Sequence, residues 1–380
     1  MIISRTPYRL SFFGGGTDYP QWYLREEGAV LSTTIDKYCY VSCRYLPPFF
    51  NIKHRIVWSH IETVSTIGEI LHPAVREGLR FLGFDDSQGV EIQHQGDLPA
   101  RSGIGSSSSF SVGLVKALTG LKGEMLGKMD LARQAFRLEQ DILKETVGSQ
   151  DQVAAAFGGF NVIRFLRDGQ IQVEPLTLPL GRLAELEQNL VLLYTGTSRL
   201  GSDIAKNVTK NIPLRSAELK NMRAMVDKGL DILSGTGSLE EFGKLLHKSW
   251  MLKRSLSEDI SNSTIDEIYQ KALDHGATGG KLSGAGGSGF MLFYVPISKQ
   301  AHFLSAMNPY VCVPFSFSQS GSSIIYYDGA DRRVSGEGPS EVERNNKDAE
   351  VDHNGLERRR LPSLKTPKKS KEKILVGHRA

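Results

Sequence analysis

Residues 98–118 read LPARSGIGSSSSFSVGLVKAL. Gly103 and Gly105 precede four consecutive serines, and Phe110, Leu114, Val115 and Leu118 then fall at helical spacing. Glycines let main-chain N–H groups approach an anion with no Cβ in the way. A helix opening there adds unpaired N–H groups and the positive end of its dipole. Serine hydroxyls add hydrogen bonds and hard oxygen ligands for a divalent cation. An N-capped helix after a flexible turn would give the same letters without any ligand. No G-x-x-x-x-G-K-[ST] occurs in the chain, which argues against a P-loop ATPase.

Upstream, TPYRLSFFGGGTDY (6–19) is a strand carrying Arg9 that ends in Gly14, Gly15, Gly16, Thr17 and Asp18. A turn alone would explain the glycines, yet Arg9 and Asp18 bracket a space without side chains that suits a sugar or a phosphate. Downstream, RLEQDILKETVGSQDQ (137–152) puts Glu139 at the edge of a helical stripe formed by Leu131, Ala135, Leu138 and Ile142, with Asp130 as its N-cap. Asp151 follows a Gly-Ser-Gln turn. Read singly, these are a surface carboxylate and an N-cap. Further on, GGKLSGAGGSG (279–289) contains a formal G-x-G-x-x-G, but the apolar strand comes after it, at Phe290–Val295. The order required of a dinucleotide site is the reverse, so a glycine loop packed on another backbone or on a ligand fits better.

The remaining pattern is mixed. Strands are expected from Ile2 to about Leu46, then at 90–95, 160–166, 170–178, 190–196, 290–295, 311–317 and 323–327. Helices are expected at 66–81, after the serines, at 130–146, 202–211, 215–234, 238–255, 264–275 and 298–307. Strands and helices are grouped rather than strictly alternating, which predicts an α+β protein of two domains, 1–185 and 186–328. A charged tail, 329–380, is expected to be disordered.

The 380 residues carry a net charge of +4. Residues 331–380 hold 13 Lys+Arg against 9 Asp+Glu, which accounts for all of it. The neutral body argues against a nucleic-acid surface. Cys39, Cys43 and Cys312 form no disulfide or zinc pattern. No apolar run reaches the length of a membrane span, and the N-terminus lacks the long apolar stretch of a signal peptide. A cytoplasmic location is expected.

Taken together and in order, these segments resemble the GHMP superfamily of small-molecule kinases. Pro7, Arg9, Gly14, Thr17, Asp18 and Tyr19 match a first box, P-x-R-x-x-x-x-G-x-x-T-D-Y. Pro99, Gly103, Ile104, Gly105, Ser106 and Ser107 match a second, P-x-x-x-G-[IL]-G-S-S. Lys281, Ser283, Gly284, Gly286, Gly287 and Gly289 match a third, K-x-[ST]-G-x-G-G-x-G. Three ordered boxes plus the Glu139–Asp151 pair are far more specific than any one of them.

The resemblance, which covers about residues 1–328, implies an N-terminal domain of the ribosomal S5 domain 2-like type and a ferredoxin-like C-terminal domain. It implies ATP and Mg²⁺ as cofactors. Arg101, Ser102, Gly103, Ile104, Gly105, Ser106, Ser107 and Ser108 would bind the nucleotide. Ser107 and Glu139 would hold the metal, Asp151 would be the base and Arg9 its partner. Gly15, Gly16, Thr17, Asp18, Ser283, Gly284, Ala285 and Gly286 would line the substrate.

Where galactokinases carry Glu-His in the first box, this chain has Gly15 and Gly16, which enlarges the site and removes a negative charge. The pattern is most similar to members that phosphorylate the anomeric oxygen of D-glycero-D-manno-heptose 7-phosphate. Fucose, mannose or galactose is the alternative substrate, and a non-catalytic ATP and sugar sensor is the alternative of another class. Arg101, Lys253, Arg254 and Lys281 are the candidate partners of a 7-phosphate.

Overall fold

The computed structural model describes residues 1–47, 49–50, 52–196 and 201–329. The expectation for the tail falls almost wholly outside them. The described residues fall in one compact unit.

Two long strands, Ile2–Phe13 and Gly28–Tyr45, pair antiparallel at the centre of a nine-stranded sheet. Both are rich in β-branched and aromatic residues, which suit a pleated surface buried on one face or both. The path runs Ser323–Tyr327, Ile2–Phe13, Gly28–Tyr45, Val90–Gly96, His54–Val57, Ile61–Val64. Phe160–Phe165 pairs with the first part of Gly28–Tyr45 and carries Ile171–Pro175 on its far side. A second sheet has four antiparallel strands in the order Val311–Val313, Leu190–Tyr194, Phe290–Tyr294, Gly279–Leu282. Late strands Phe317–Ser318 and Ser323–Tyr327 return to the larger sheet, against Gly28–Tyr45 and Ile2–Phe13.

Two features of this scaffold position the site. The helix behind the serines, Ser106–Leu121, is buried along most of its length against the two central strands, so its N-terminus is fixed. The Ile2–Phe13 strand has register shifts between Pro7 and Arg9 and again between Ser11 and Phe13. Bulges of this kind re-aim side chains. Here the Arg9 N–H leaves the ladder and donates to Ile104 O at 3.1 Å.

Among the elements that differ from expectation, three lie around the motifs. The helix expected over 130–146 starts at Lys128, with Gly127 rather than Asp130 as its N-cap, and becomes a π-helix over Arg137–Ile142. Asp151 is not an N-cap: it lies in the first turn of Gln150–Phe157, behind Ser149. The stretch expected as one helix over 66–81 is a 3₁₀ turn, Ile67–Glu69, followed by Pro73–Phe81. Proline at the first helical position separates the two.

Candidate active site

The re-aimed Arg9 is 3% exposed and forms a fork with Asp151. Nε donates to Oδ1 at 2.7 Å and Nη2 to Oδ2 at 2.8 Å. Nη1 donates to Gly103 O at 2.8 Å. One guanidinium therefore ties the first box, the second box and the Gln150–Phe157 helix together through charge-assisted bonds. A Cβ on Gly105, which opens the serine helix, would lie 3.4 Å from Asp151 Oδ2. The Asp151 side chain keeps 23% of its surface exposed, so it can still meet a ligand.

The four serines divide by helical geometry. Ser108 and Ser109 face inward: Ser108 Oγ donates to Glu139 Oε2 at 2.9 Å and Ser109 Oγ to Pro7 O at 2.9 Å. Ser106 and Ser107 remain outward, and Ser106 Oγ accepts from the Arg101 N–H at 3.0 Å. Ser102 and Ile104 are fully buried, and their carbonyls accept from the main-chain N–H groups of Phe290 and Arg9. Glu139 is thus brought to Ser108 rather than to Ser107, which is exposed in the first turn.

Glu139 is fully buried, and π-helical segments recur at functional sites. Its Oε2 accepts from Ser108 and Gln152, while Oε1 has no partner among the described residues. Burial raises its pKa to about 7, and polar contacts with Ser111, Gln152 and Ser108 pull it only partly back. A buried carboxylate oxygen without a donor is what a hard cation would complete. Gln152 Oε1 is likewise buried and unpartnered. The donor set therefore fits Mg²⁺.

Thr17 and Asp18, expected to line the substrate, are both buried. Thr17 is fully buried; its hydroxyl donates to Gly14 O and accepts from the Ala29 N–H. Asp18 is 2% exposed. Its Oδ1 accepts from the Gly16 N–H at 2.9 Å and its Oδ2 from Gln150 Nε2 at 3.0 Å. Burial first, then Asp151, raises its pKa. Asp18 anchors the first box to the residue that precedes Asp151.

The third box presses on the second. A Cβ on Gly103 (φ +81) would lie 2.6 Å from Ser283 O, and one on Gly284 (φ +66) would lie 2.4 Å from Gly103 Cα. Buried Lys253 fastens this loop, donating to Leu282 O at 2.8 Å and Gly284 O at 2.6 Å. Lys281 ties it to the first box through Phe12 O at 2.8 Å. Burial, reinforced by Arg9, lowers the Lys281 pKa to about 7. Both lysines spend hydrogen bonds on carbonyls, and Arg254 pairs with Asp266. Gly284→Ala is expected to cost about 1–3 kcal/mol, because both backbone conformation and space oppose the methyl. A drop in thermal midpoint, with a raised KM for ATP, checks this.

A ring cluster that sequence reasoning missed stands behind the serine helix. The ring centroid of His72 is 4.9 Å from that of Trp58 and 5.0 Å from that of Phe110. Burial, then His94, lowers the His72 pKa to about 4, so the ring is neutral near pH 7. The turn carrying Trp58 belongs to a short hairpin, His54–Val57 and Ile61–Val64, which had no clear alternation to announce it.

An anion-ready helix start, a forked carboxylate beside it and a buried acidic oxygen awaiting a cation define a small-molecule phosphotransferase. The comparisons agree. The model of the GHMP kinases N terminal domain matches residues 69–159, and that of the GHMP kinases C terminal matches residues 229–308. A D-glycero-alpha-D-manno-heptose 7-phosphate kinase of Campylobacter jejuni is 31% identical over 347 residues, covering 84% of this chain and 97% of that protein. A galactokinase of Pyrococcus furiosus is 25% identical, covering 78% and 90%. The crystal structure of a D-glycero-D-manno-heptose 1-phosphate kinase from Bacteroides thetaiotaomicron superposes with a TM-score of 0.71 at 24% identity, covering 86% of this chain and all of the other.

The chain belongs to the GHMP kinase family, with its α+β fold. It is a sugar kinase of that family, a phosphotransferase acting on a sugar hydroxyl with ATP. No helix among the described residues is long and apolar enough to cross a membrane.

Proposed function

We propose that the chain phosphorylates the anomeric hydroxyl of D-glycero-D-manno-heptose 7-phosphate in the cytoplasm, giving the 1,7-bisphosphate. The observation that carries the chemistry is the Arg9–Asp151 fork, bonded at 2.7 and 2.8 Å and held against the opening of the serine helix. Phosphoryl transfer needs positioning and charge stabilisation more than covalent help. Main-chain N–H groups of 103–108 cradle the ATP phosphates, with the Ser106 and Ser107 hydroxyls beside them. The neutral rings of Trp58, His72 and Phe110 offer an apolar wall to the base.

Asp151 accepts the proton of the attacking hydroxyl. Arg9 holds that carboxylate in place through two hydrogen bonds and faces the charge that develops on transfer. Glu139 Oε1 and a serine hydroxyl of the first helical turn would hold Mg²⁺, which when bound neutralises phosphate charge. The similarity to the heptose 7-phosphate kinase supports the substrate, as does Gly15, which carries no side chain or charge there, whereas Gly16 turns toward the buried Leu219 and Leu256 side chains and opens no room for the sugar.

The test is a panel of heptose 7-phosphate, fucose, mannose and galactose with ATP, scored for acid-labile sugar 1-phosphate. Heptose 7-phosphate is expected to lead by on the order of 10²-fold in kcat/KM, since a site built for a substrate group penalises its absence. Preference for an unphosphorylated sugar would favour the galactokinase-like reading.

A further inference from the structure

The glycine at position 15 has a neighbourhood that the mechanism above does not use. Its φ lies outside the left-handed region, so its backbone would accept a side chain. A Cβ there would meet only two groups within 4 Å beyond its chain neighbours: Gln150 Nε2 at 3.7 Å and Ser11 Oγ at 3.8 Å. Both are ordinary contact distances, so a methyl there would sit directly against two polar heads without a clash.

Neither head is satisfied. Gln150 is 8% exposed, and its Nε2 donates one hydrogen to Asp18 Oδ2 at 3.0 Å. The main-chain N–H groups of Gly16 and Gln150 also donate to Asp18, which makes that carboxylate an acceptor and fixes the orientation of the amide. The second N–H of Nε2 is left over, and Oε1 is buried without a partner. Ser11 Oγ is also buried without a partner. Buried polar atoms left without partners cost free energy unless something satisfies them.

We infer that Ser11 and Gln150, facing each other across Gly15, form a subsite that recognises one hydroxyl of the acceptor sugar. A hydroxyl both donates and accepts, which matches a spare N–H, a free carbonyl oxygen and a free Oγ. Gln150 precedes Asp151, so a hydroxyl held here fixes the ring relative to the base. The bulge between Ser11 and Phe13 belongs to the same arrangement. This subsite rests on the reading of the protein as a sugar kinase with Asp151 at its centre, and it adds two specificity-determining residues.

The experiment measures KM for sugar and for ATP in the wild type, Ser11→Ala, Gly15→Ala and Gln150→Met, using the best sugar of the panel. Losing one satisfied contact is expected to raise sugar KM about 10-fold in Ser11→Ala and Gln150→Met. Gly15→Ala, whose methyl occupies the space itself, is expected to exceed both. ATP KM stays within about twofold, because the phosphate loop is untouched. Wild-type turnover with unchanged sugar KM in Ser11→Ala and Gly15→Ala would overturn the subsite and leave the kinase standing. Absence of turnover with every sugar would overturn both. Ser11→Ala removes one oxygen only, so it decides the matter if another variant fails to fold.

Discussion

Asp151→Asn is expected to bind ATP with near-normal affinity and to lose turnover by about 10²–10⁴-fold, the usual contribution of a general base. The substitution preserves shape, so the 23% exposed side chain can still sit against the serine helix. Its amide, however, offers one acceptor where the carboxylate offered two. One arm of the Arg9 fork then faces a donor, and the group that would take the hydroxyl proton is gone. Arg9 keeps its bond to Gly103 O at 2.8 Å, which holds the phosphate loop in place and explains why nucleotide affinity should survive. Single-turnover kinetics with saturating ATP and sugar check this. Turnover within a few-fold of wild type would remove Asp151 from the chemistry and leave Arg9 as a purely electrostatic element.

The parts of this site that were legible in the sequence share one property: their side chains or glycines are demanded by backbone geometry. Gly103, Gly105 and Gly284 sit where main chains touch, and Arg9 and Asp151 sit at fixed offsets from such glycines. What stayed hidden depends on helix phase and long-range packing. Whether Ser107 or Ser108 reaches Glu139 is decided by where the helix begins, a shift of one residue that rotates the hydroxyl by about 100°. The π-turn under Glu139 inserts a residue that an apolar stripe at 131, 135, 138 and 142 conceals. Asp18 reads in isolation as an ordinary turn aspartate, and nothing in the sequence shows that it packs onto Gln150. Ser11 and Gln150 are neutral and belong to no motif. Only the coordinates reveal that their polar atoms are left without partners.

Glu139→Gln should move stability and activity in opposite directions. The wild-type carboxyl is fully buried, and its pKa rises from 4.5 to about 7 because burial disfavours the charge. The folded state therefore holds this proton more tightly than the unfolded chain does. Its favourable contribution is complete below about pH 4.5 and is lost as pH rises through 7. By pH 8 the ionised carboxylate costs the metal-free protein about 3 kcal/mol relative to acid conditions. Glutamine carries no such charge, and its carbonyl can still accept from Ser108 and Gln152. The thermal midpoint of Glu139→Gln should thus equal that of the wild type near pH 4.5 and exceed it increasingly up to pH 8. Turnover should nevertheless fall by on the order of 10²-fold, comparable to removing one preorganised electrostatic group. A protein that keeps a destabilising carboxylate in its interior, with one oxygen unpartnered, keeps it for a ligand. A variant neither more stable at pH 8 nor less active would show that Glu139 is an ordinary buried residue.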